Sequence, residues 1–424
     1  MVLAAEQRNG NRSLPSGWRR VRLGDVIAEA KPGFASGVRD PKGVVQLRMN
    51  NVDTRGKMVW SEFIRVPAED SVVNEYQLFP GDLLFNNTNS VELVGKSALF
   101  LGFQEPVVYS NHFTRLRAKP PQLDPQYLAA WLLQQWQLKV FENICNRWIG
   151  QSAVKNDKLL ALEIPLPPLD EQKRIAAILN EQMAAVERAR AAAEAQLEAA
   201  KALPPTYFRQ AFQAITPLAI GLARDRAPAG WRWILLTDVA RLESGHTPSR
   251  YHPEWWGGNI PWIALPDIRD LDGKIAYETC ECTNETGIAN SSARVLPAGT
   301  VVLSRTASVG FVTVMGRDMA TSQDFVDWVC GEELNPHFLA YLLRAARNYI
   351  RSLSSGAIHQ TVYVPTVKGF QVCIPLRAEQ EAIVMFLNDR LTSAERGRKA
   401  IEEELDTISK LPAALLRRAF SGEL

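Results

Sequence analysis

The sequence predicts an α+β protein with an internal repeat, in which two mixed α/β domains are each followed by one long helix. The segment 169–212 recurs at 377–420 with a constant offset of 208, and from 171 to 212 it matches its copy at 16 of 42 positions without a gap. The segments that precede the two copies also match each other weakly. A repeat of this length indicates a duplicated architecture.

The repeated segment is predicted to be helical because it is rich in Ala, Glu, Gln, Arg and Leu. Its first copy contains neither Gly nor Pro from Asp170 to Leu203. About 34 residues at 1.5 Å each give a helix of roughly 50 Å. We expect Pro204, Pro205 and Pro412 to break the two helices, since proline removes a backbone hydrogen bond.

Apolar residues recur at heptad spacing along both predicted helices, with charged residues between them. This spacing is typical of a coiled-coil seam, and the nearest partner for each copy is the other copy. We therefore predict that the two helices pair with each other. The predicted seam residues are Leu179, Val186, Ala193, Leu197, Leu387, Ala394, Ile401, Leu405 and Ile408.

The repeat also predicts the domain boundaries. The order is domain, helix, domain, helix, with a short spacer after the first helix. The predicted segments are a disordered N-terminus at 1–13, a first domain at 14–168, a first long helix at 169–213, a linker at 214–226, a second domain at 227–376, and a second long helix with the C-terminal tail at 377–424.

The two domains open alike. The stretch LPSGWRRVRLGDV at 14–26 matches APAGWRWILLTDV at 227–239. Apolar and polar residues alternate after a Gly turn, which predicts a short strand or helix packed on the core. We expect Trp18 and Trp231 to be buried anchors, because a large ring at the start of such an element usually packs inside.

Two polar loops recur at equivalent places in the domains. The stretches LFPGDLLFNNTNS at 78–90 and VLPAGTVVLSRTAS at 295–308 each predict a Gly turn, a short strand and a small polar loop. A second polar segment precedes each long helix, and both domains close on Ile-Pro-Leu, at 164–166 and 374–376. These features predict several short strands and one or two helices in each domain.

The tetrapeptides DPQY at 124–127 and NPHF at 335–338 are similar to the [DN]-P-P-[YF] motif of amino-methyltransferases. In that chemistry the Asp or Asn binds the target amine and the ring stacks on a flipped base. The second proline is missing from both copies, and no Gly-rich cofactor loop lies upstream. We interpret Asp124 and Asn335 as helix N-caps followed by proline at the first helical position.

Composition limits the remaining function classes. The chain of 424 residues has a net charge of +2, no apolar run long enough to span a membrane and no signal-peptide pattern. Its five cysteines lack zinc-site spacing, so we expect free thiols in a cytoplasmic protein and no metal site. The sequence contains no P-loop, GxSxG, HExxH or paired-acid nuclease motif.

Several of these stretches resemble the specificity subunit of type I restriction–modification systems. They are the helix openings LPPLDEQKRIAAILN and IPLRAEQEAIVMFLN, the terminal RRAFSGEL, and SGHTPS at 244–249 followed by EWWGGNIPWIALPDI at 254–268. The resemblance covers nearly the whole chain from Leu14, and the helix motifs are specific in combination. The first domain departs from it, with KPGFASG at 31–37 where GxTPS would stand. Such divergence is expected if the two domains read different sequences.

The resemblance implies a non-catalytic DNA-recognition subunit with two target recognition domains, tied by an antiparallel coiled coil around a pseudo-two-fold axis. It implies a split, asymmetric target in double-stranded DNA, with one domain on each half-site. A helix near 50 Å would set the readers roughly one ~34 Å duplex turn or more apart.

The resemblance also implies partners. Two modification (methyltransferase) subunits would dock on the long helices, flip an adenine and transfer a methyl group from S-adenosylmethionine. Restriction subunits that cut DNA with ATP and Mg can join the complex. The chain itself is expected to bind none of these cofactors.

Direct readout of bases requires Arg, Lys, Asn, Gln, Ser, Thr or His on loops that reach a groove. The candidates are Asn86, Asn87, Thr88, Asn89, Lys96, Gln151, Ser152, Lys155, His246, Thr247, Ser249, Arg250, Arg305, Thr306, Ser308, His359 and Gln360. Phosphate contacts are expected to supply most of the affinity. The candidates for these are Arg19, Arg20, Arg48, Arg115, Arg117, Arg241, Arg269, Arg344 and Arg347.

Two alternatives come from other classes. A stand-alone DNA methyltransferase or nuclease with unrecognised motifs predicts activity from the purified chain without partners. A coiled-coil scaffold with no DNA role predicts that salt-sensitive DNA binding is absent. Within the family, a methylation-only system without a restriction subunit is a third possibility.

Overall fold

The structure is a computed structural model that describes residues 14–221, 225–356 and 360–424. The disorder predicted for residues 1–13 and the candidate His359 lie outside the described residues.

The α-helices are numbered in chain order. They are α1 (Leu23–Val26), α2 (Asp70–Tyr76), α3 (Pro125–Gln137), α4 (Val140–Ile144), α5 (Asn156–Leu160), α6 (Leu169–Ala211), α7 (Leu236–Val239), α8 (Leu265–Leu271), α9 (Glu285–Ala289), α10 (Pro336–Ala345), α11 (Arg347–Ser352), α12 (Val364–Lys368) and α13 (Arg377–Ser421). Short 3₁₀ turns lie at Met49–Asn51 and Pro253–Trp255.

The strands are numbered in the same way. They are β1 (Arg19–Arg22), β2 (Ile27–Pro32), β3 (Val44–Leu47), β4 (Ile64–Val66), β5 (Leu83–Asn86), β6 (Thr88–Asn89), β7 (Ser97–Leu99), β8 (Val107–Tyr109), β9 (Phe113–Ala118), β10 (Asn146–Trp148), β11 (Gln151–Ala153), β12 (Glu163–Leu166), β13 (Leu218–Ile220), β14 (Arg232–Leu235), β15 (Ala240–Ser244), β16 (Trp256–Ile263), β17 (Ile275–Ala276), β18 (Cys282–Thr283), β19 (Val301–Ser304), β20 (Val312–Met315), β21 (Ala320–Thr321), β22 (Phe325–Cys330) and β23 (Phe370–Ile374).

Unit 1 contains the described residues up to Glu194 together with Glu403–Leu424. Its main sheet has the order β2-β9-β5-β7, and smaller sheets have the orders β4-β3-β8, β1-β12 and β10-β11-β6. Strand β5 is buried along its whole length, as a short apolar run after a Gly turn predicts. Helix α3 packs Leu128 and Trp131 into the same core.

Unit 2 contains Ala195–Glu402 and repeats this topology. Its main sheet has the order β15-β22-β19-β20-β17, and its smaller sheets have the orders β18-β16-β21 and β13-β23-β14. Strand β19 is the buried counterpart of β5, and α10 packs Phe338 and Leu342 beside it. The predicted α+β class with a repeated mixed domain is therefore confirmed.

The two long helices contribute to both units. In unit 1, Leu179 near the start of α6 shares a core with Leu416 near the end of α13. In unit 2, Ala211 at the end of α6 shares a core with Leu387 near the start of α13. The start of each helix packs with the end of the other, so the predicted antiparallel pairing is confirmed.

The predicted breaks at Pro204, Pro205 and Pro412 are wrong, because α6 continues to Ala211 and α13 to Ser421. Proline inside a helix costs about 3 kcal/mol, mainly through a lost hydrogen bond and a clash with the preceding turn. Tertiary contacts offset that cost, since Phe208 and Phe212 beyond the prolines pack in the core of unit 2.

The predicted linker 214–226 contains strand β13, which pairs antiparallel with β23. Leu218 in this strand is buried. The strand has only three residues, so an alternation of apolar and polar side chains is not recognisable in the sequence. The strand depends on its pairing with β23, which lies about 150 residues further along the chain. Residues 222–224 of the same segment lie outside the described residues.

Candidate nucleic-acid interface

In unit 1 the fold brings the two predicted polar loops together. The loop that follows the buried strand β5 forms the short strand β6, and β6 pairs antiparallel with β11. Ser152 lies opposite Asn89, and Ala153 lies opposite Thr88. The segments 86–89 and 151–155 therefore lie side by side, although about 65 residues separate them in the sequence.

The first two residues of this loop are structural. Asn86 is fully buried, and its amide nitrogen donates to the carbonyls of His112 at 2.9 Å and Thr88 at 3.1 Å. The amide nitrogen of Asn87 donates to the Thr114 hydroxyl at 3.1 Å. Because their donors bind the chain itself, Asn86 and Asn87 hold the loop and do not reach an accessible surface.

Thr88 and Asn89 are half-buried, while Gln151 and Lys155 are exposed. Two other candidates are internal. Ser152 is fully buried, and Lys96 is 8% exposed with its ammonium donating to the Val52 carbonyl at 2.6 Å. Burial lowers the pKa of Lys96, and Asp53 acts in the opposite direction.

Unit 2 repeats the arrangement with other residues. The loop after β19 bridges to the segment before α12, where Thr306 lies opposite Thr361. The backbone N–H of Ala307 donates to the Gln360 carbonyl at 3.1 Å. The candidates Arg305, Thr306, Ser308 and Gln360 thus lie together. Gln360 is exposed, and the first three are half-buried.

Gln323 links this group to a third loop. The Thr247 hydroxyl donates to the side-chain oxygen of Gln323, and the Arg305 guanidinium donates to its backbone carbonyl at 2.7 Å. Gln323 is exposed, so its amide nitrogen is free to reach a ligand. Sequence reasoning missed it because Gln323 belongs to neither repeated loop.

The remaining candidates of unit 2 pack locally. Arg250 forms a bidentate ion pair with Glu281 at 2.7 Å and lies 3.9 Å from the ring centre of Trp256. The Ser249 carbonyl accepts a hydrogen bond from the indole of Trp256 at 3.3 Å. His246 is exposed, with its backbone bound to Thr321. Arg250 therefore braces this loop through its aromatic neighbours.

Unit 1 also exposes an apolar hairpin tip that sequence reasoning did not select. Strands β10 and β11 form the hairpin, and its tip carries Trp148, which is 59% exposed, and Ile149, which is fully exposed. Exposed apolar side chains at a hairpin tip do not contribute hydrophobic burial to the stability of the fold. Because β11 also pairs with β6, this tip lies on the same small sheet as Thr88 and Asn89.

Four of the candidate phosphate ligands form ion pairs or pack within their own unit, and one of the four is fully buried. Arg115 is 2% exposed and pairs with Glu29, while Arg117 binds Asp82 at 2.7 Å. The pKa of Glu29 is lowered because hydrogen bonding and charge from these arginines outweigh its burial. In unit 2, Arg347 binds both carboxylate oxygens of Asp272, and the half-buried Arg344 packs on the rings of Phe208 and Tyr341. The exposed candidates are Arg19, Arg20, Arg48, Arg241 and Arg269.

The capping interpretation of the methyltransferase-like tetrapeptides is confirmed. The Asp124 carboxylate accepts from the backbone N–H groups of Gln126 and Tyr127 at 2.9 and 3.0 Å. The Asn335 side chain caps α10 in the same way. The ring of Tyr127 is fully buried, and its hydroxyl donates to the Pro165 carbonyl at 2.7 Å, so it cannot stack on a flipped base.

The predicted seam residues differ in how deeply they are buried. Leu387 is fully buried, and Leu197, Ile401 and Leu405 are half-buried. The others are at most 9% exposed, namely Leu179, Val186, Ala193, Ala394 and Ile408.

Within the described ranges, no cluster of three or more His, Cys, Asp or Glu side chains is arranged to hold a metal ion. All five cysteines are free thiols. Among the helices that the structure describes, none is both long enough and apolar enough to cross a membrane.

The chain consists of two equivalent mixed α/β units that carry polar loops at equivalent places. Helix caps occupy the positions where a methyl-transfer motif would stand. These features define a two-domain recognition protein. The family model for the type I restriction modification DNA specificity domain matches residues 15–198 and again residues 228–405. The chain belongs to this family. It is a DNA-specificity subunit of a type I restriction–modification complex and a partner of methyltransferase subunits, not an enzyme.

Relatives and solved structures agree with this assignment. The chain is 24% identical over 428 residues to the putative type I restriction enzyme MjaX specificity subunit of Methanocaldococcus jannaschii, covering 97% of this chain and 94% of that protein. A chain from a structure of the type I R-M system aligns with a TM-score of 0.71 at 22% identity, over 97% of this chain and 100% of that one. The HsdS subunit from Thermoanaerobacter tengcongensis aligns with a TM-score of 0.65 at 23% identity, over 98% and 99%. At these identities the two structures support the fold.

Proposed function

We propose that the chain reads a split, asymmetric sequence in duplex DNA, with unit 1 on one half-site and unit 2 on the other. The observation that carries this proposal is the repeated pairing of polar loops. In both units, the loop after the buried central strand pairs with the segment that precedes the last short helix. Two equivalent readers suit two half-sites because duplex DNA has local two-fold symmetry. Different residues in the loops then make the half-sites different.

The exposed or half-buried polar residues of these loops are the proposed base readers. In unit 1 they are Thr88, Asn89 and Gln151, and in unit 2 they are Thr306 and Gln360 with Thr247 and Gln323 beside them. Gln and Asn amides can bind adenine through two hydrogen bonds, and threonine hydroxyls can bind several base edges. Lys155 and the exposed arginines would contact phosphates and make binding salt-dependent.

The hairpin tip of unit 1 adds an apolar contact to the first half-site. The side chains of Trp148 and Ile149 project beside the proposed readers. Apolar side chains in a groove can contact a thymine methyl group or wedge between base steps. We infer that this tip contributes to the sequence preference of unit 1. That role would explain why two large apolar side chains are exposed to water.

The two long helices are the proposed docking surface for two methyltransferase subunits, one associated with each unit. Those subunits would bring S-adenosylmethionine, and a restriction subunit would bring ATP and Mg. The antiparallel helix pair would also set the unread spacer between the half-sites. The assembly would act on DNA in the cytoplasm.

Methylation-sensitive sequencing of the host genome, with and without this gene, tests the proposal. We expect adenine methylation to disappear at one split motif when the gene is deleted and to return when the gene is restored. Unchanged methylation, together with expression of the chain and co-purification of a methyltransferase subunit, would contradict the specificity role.

Exchange of residues 14–163 for the corresponding domain of another family member tests modularity. We expect one half of the motif to change and the other half to persist. The unit 1 core includes Leu416 and Phe420 of α13, so the exchanged domain must keep apolar partners for these two residues. A change in both halves would contradict one domain per half-site.

A further inference from the structure

Unit 2 contains a half-buried arginine that has no hydrogen-bond acceptor among the described residues. Arg344 lies near the end of α10, and its Nε is fully buried without a partner. The guanidinium carbon lies 5.4 Å from the ring centre of Phe208 and 5.8 Å from that of Tyr341. On another side it contacts the backbone of Gly273, where an added Cβ would come within 2.4 Å of it.

This arrangement is unfavourable without a further ligand. The guanidinium stays charged in proteins, and its buried Nε–H is a donor without an acceptor, which costs free energy. Burial lowers the pKa of Arg344, and Asp272 acts in the opposite direction. Asp272 does not satisfy it, because both carboxylate oxygens bind Arg347 and one also accepts the backbone N–H of Val312.

A cavity of about 190 Å³ lies beside this side chain, within unit 2. It is smaller than the roughly 300–1,000 Å³ of sites that bind drug-sized ligands. Two further groups that can donate to an anion, Lys274 and His337, line the same cavity. Glu395 of α13 is close enough to Lys274 to interact with it, but its carboxylate is paired with Arg398 at 2.7 Å.

Unit 1 shows what the same place looks like without a cation. Leu133 stands eight residues after Pro125 at the start of α3, and Arg344 stands eight residues after Pro336 at the start of α10. Leu133 packs on Gly56 as Arg344 packs on Gly273, and both glycines have φ near +75°. The repeat thus carries an apolar residue in unit 1 and an unpaired guanidinium in unit 2.

We propose that this cavity of unit 2 binds a small inorganic oxyanion of phosphate or sulfate size. The Arg344 guanidinium supplies paired N–H donors, a geometry suited to two oxygens of one anion. Lys274 and His337 supply charge and a further donor at the cavity wall. The site is separate from the proposed base-reading loops, and it does not depend on DNA recognition being correct.

Thermal unfolding of the full chain in phosphate or sulfate tests the site, with ionic strength held constant by chloride. We expect the melting temperature of the wild type to rise and saturate with either oxyanion, as binding to the native state requires. Arg344→Leu, which installs the residue of unit 1, should abolish the saturable rise and raise the melting temperature in chloride alone. Arg317→Leu, at an exposed arginine outside the cavity, should keep the wild-type response.

Arg344→Lys provides a second variant in case the leucine variant does not fold. This variant keeps the positive charge but loses the paired N–H donors of the guanidinium. We therefore expect the half-saturating phosphate concentration to rise at least about tenfold, the factor for a loss of ~1.4 kcal/mol of binding free energy. Equal responses in the wild type and both Arg344 variants would overturn the proposal. So would a lower DNA affinity of Arg344→Leu with no response of the wild type to free phosphate, since that outcome would assign Arg344 to the DNA backbone.

Discussion

The side chain of Gln172 accepts a hydrogen bond from the backbone N–H of Asp124 at 2.8 Å, which joins the first turn of α6 to the residue that caps α3. Its amide nitrogen donates to the carbonyls of Gln122 at 3.0 Å and Pro167 at 2.9 Å. Gln380 repeats this in unit 2, accepting from Asn335 at 2.8 Å. Both glutamines are fully buried. The repeated glutamine therefore fixes the start of each long helix to its own domain.

Replacing Gln172 with Ala should destabilise unit 1 by about 1–3 kcal/mol, the cost of leaving buried backbone groups without partners. Gln380→Ala should have a similar effect on unit 2. Urea unfolding followed by circular dichroism measures the change. Gln126→Ala is the matched control, since Gln126 is exposed and only accepts from Asn180. Equal stability of Gln172→Ala and Gln126→Ala would contradict the anchoring role.

A second prediction concerns the paired helices. Leu387→Asp should destabilise unit 2 by about 4 kcal/mol or more, because Leu387 is fully buried and an aspartate there would lack a partner. Ile401→Asp should cost less, since Ile401 is half-buried. Met385→Asp should be nearly neutral because Met385 is 73% exposed on the same helix. The test is helix content during thermal unfolding, and an equal loss of stability in all three variants would contradict the antiparallel pairing.

These helices show how far local sequence information extends. Heptad spacing and the gapless repeat predicted both helices and their pairing, and Asp124 and Asn335 followed by proline predicted the caps of α3 and α10. Those signals lie within a few turns of the residues they describe. The continuation of α6 through Pro204 was not predictable in this way, because it depends on the docking of Phe208 and Phe212 in a distant core.

The candidate site divides in the same way. The repeat predicted two equivalent loop pairs, and strand pairing brings both together. Burial of individual side chains could not be predicted, because it depends on partners far away in the sequence. From the sequence alone, Arg115 is expected to be a basic surface residue, because its partner Glu29 lies 86 residues earlier. Lys96 likewise has its acceptor, the Val52 carbonyl, 44 residues earlier.

A third prediction concerns the pH dependence of stability through Asp327. Asp327 is fully buried opposite Glu243, one of its oxygens accepts from the Thr321 hydroxyl at 2.6 Å, and the other has no partner. Burial raises the pKa of Asp327 from 3.8 to about 7, and the charge of Glu243 adds to this. The folded protein thus holds a proton that the unfolded chain releases. The stability that the folded state gains from this proton is therefore complete below pH 3.8 and is lost as pH rises to about 7.

Asp327→Asn removes the titrating group and keeps an acceptor for Thr321. The stability of the variant relative to wild type should increase between pH 4 and 7, by up to about 1.4 kcal/mol per pH unit, and should be constant above pH 7. Chemical unfolding at a series of pH values measures this difference. Asp318→Asn, at an exposed aspartate of the same unit, should show no such trend. A difference that does not vary with pH would mean that Asp327 titrates normally.

The last prediction separates the two half-sites. Replacing Thr306 and Gln360 with Ala removes polar groups from the paired loops of unit 2, and each lost base contact costs about 1–3 kcal/mol of discrimination. Methylation sequencing in a host that expresses this variant should show relaxed preference in one half of the motif and an unchanged other half. Thr88→Ala with Gln151→Ala should relax the opposite half, since these residues lie in unit 1.

Ser152→Ala is the control for this pair of variants. Ser152 lies in the same loop pair but is fully buried, and its hydroxyl has no partner, so its removal should leave both halves unchanged. Stable expression and retained co-purification with a methyltransferase subunit must accompany each variant, because a folding defect would reduce methylation at every site equally. A unit 2 variant that folds and still relaxes both halves of the motif would contradict one reader per half-site, since its substituted side chains belong to a single unit.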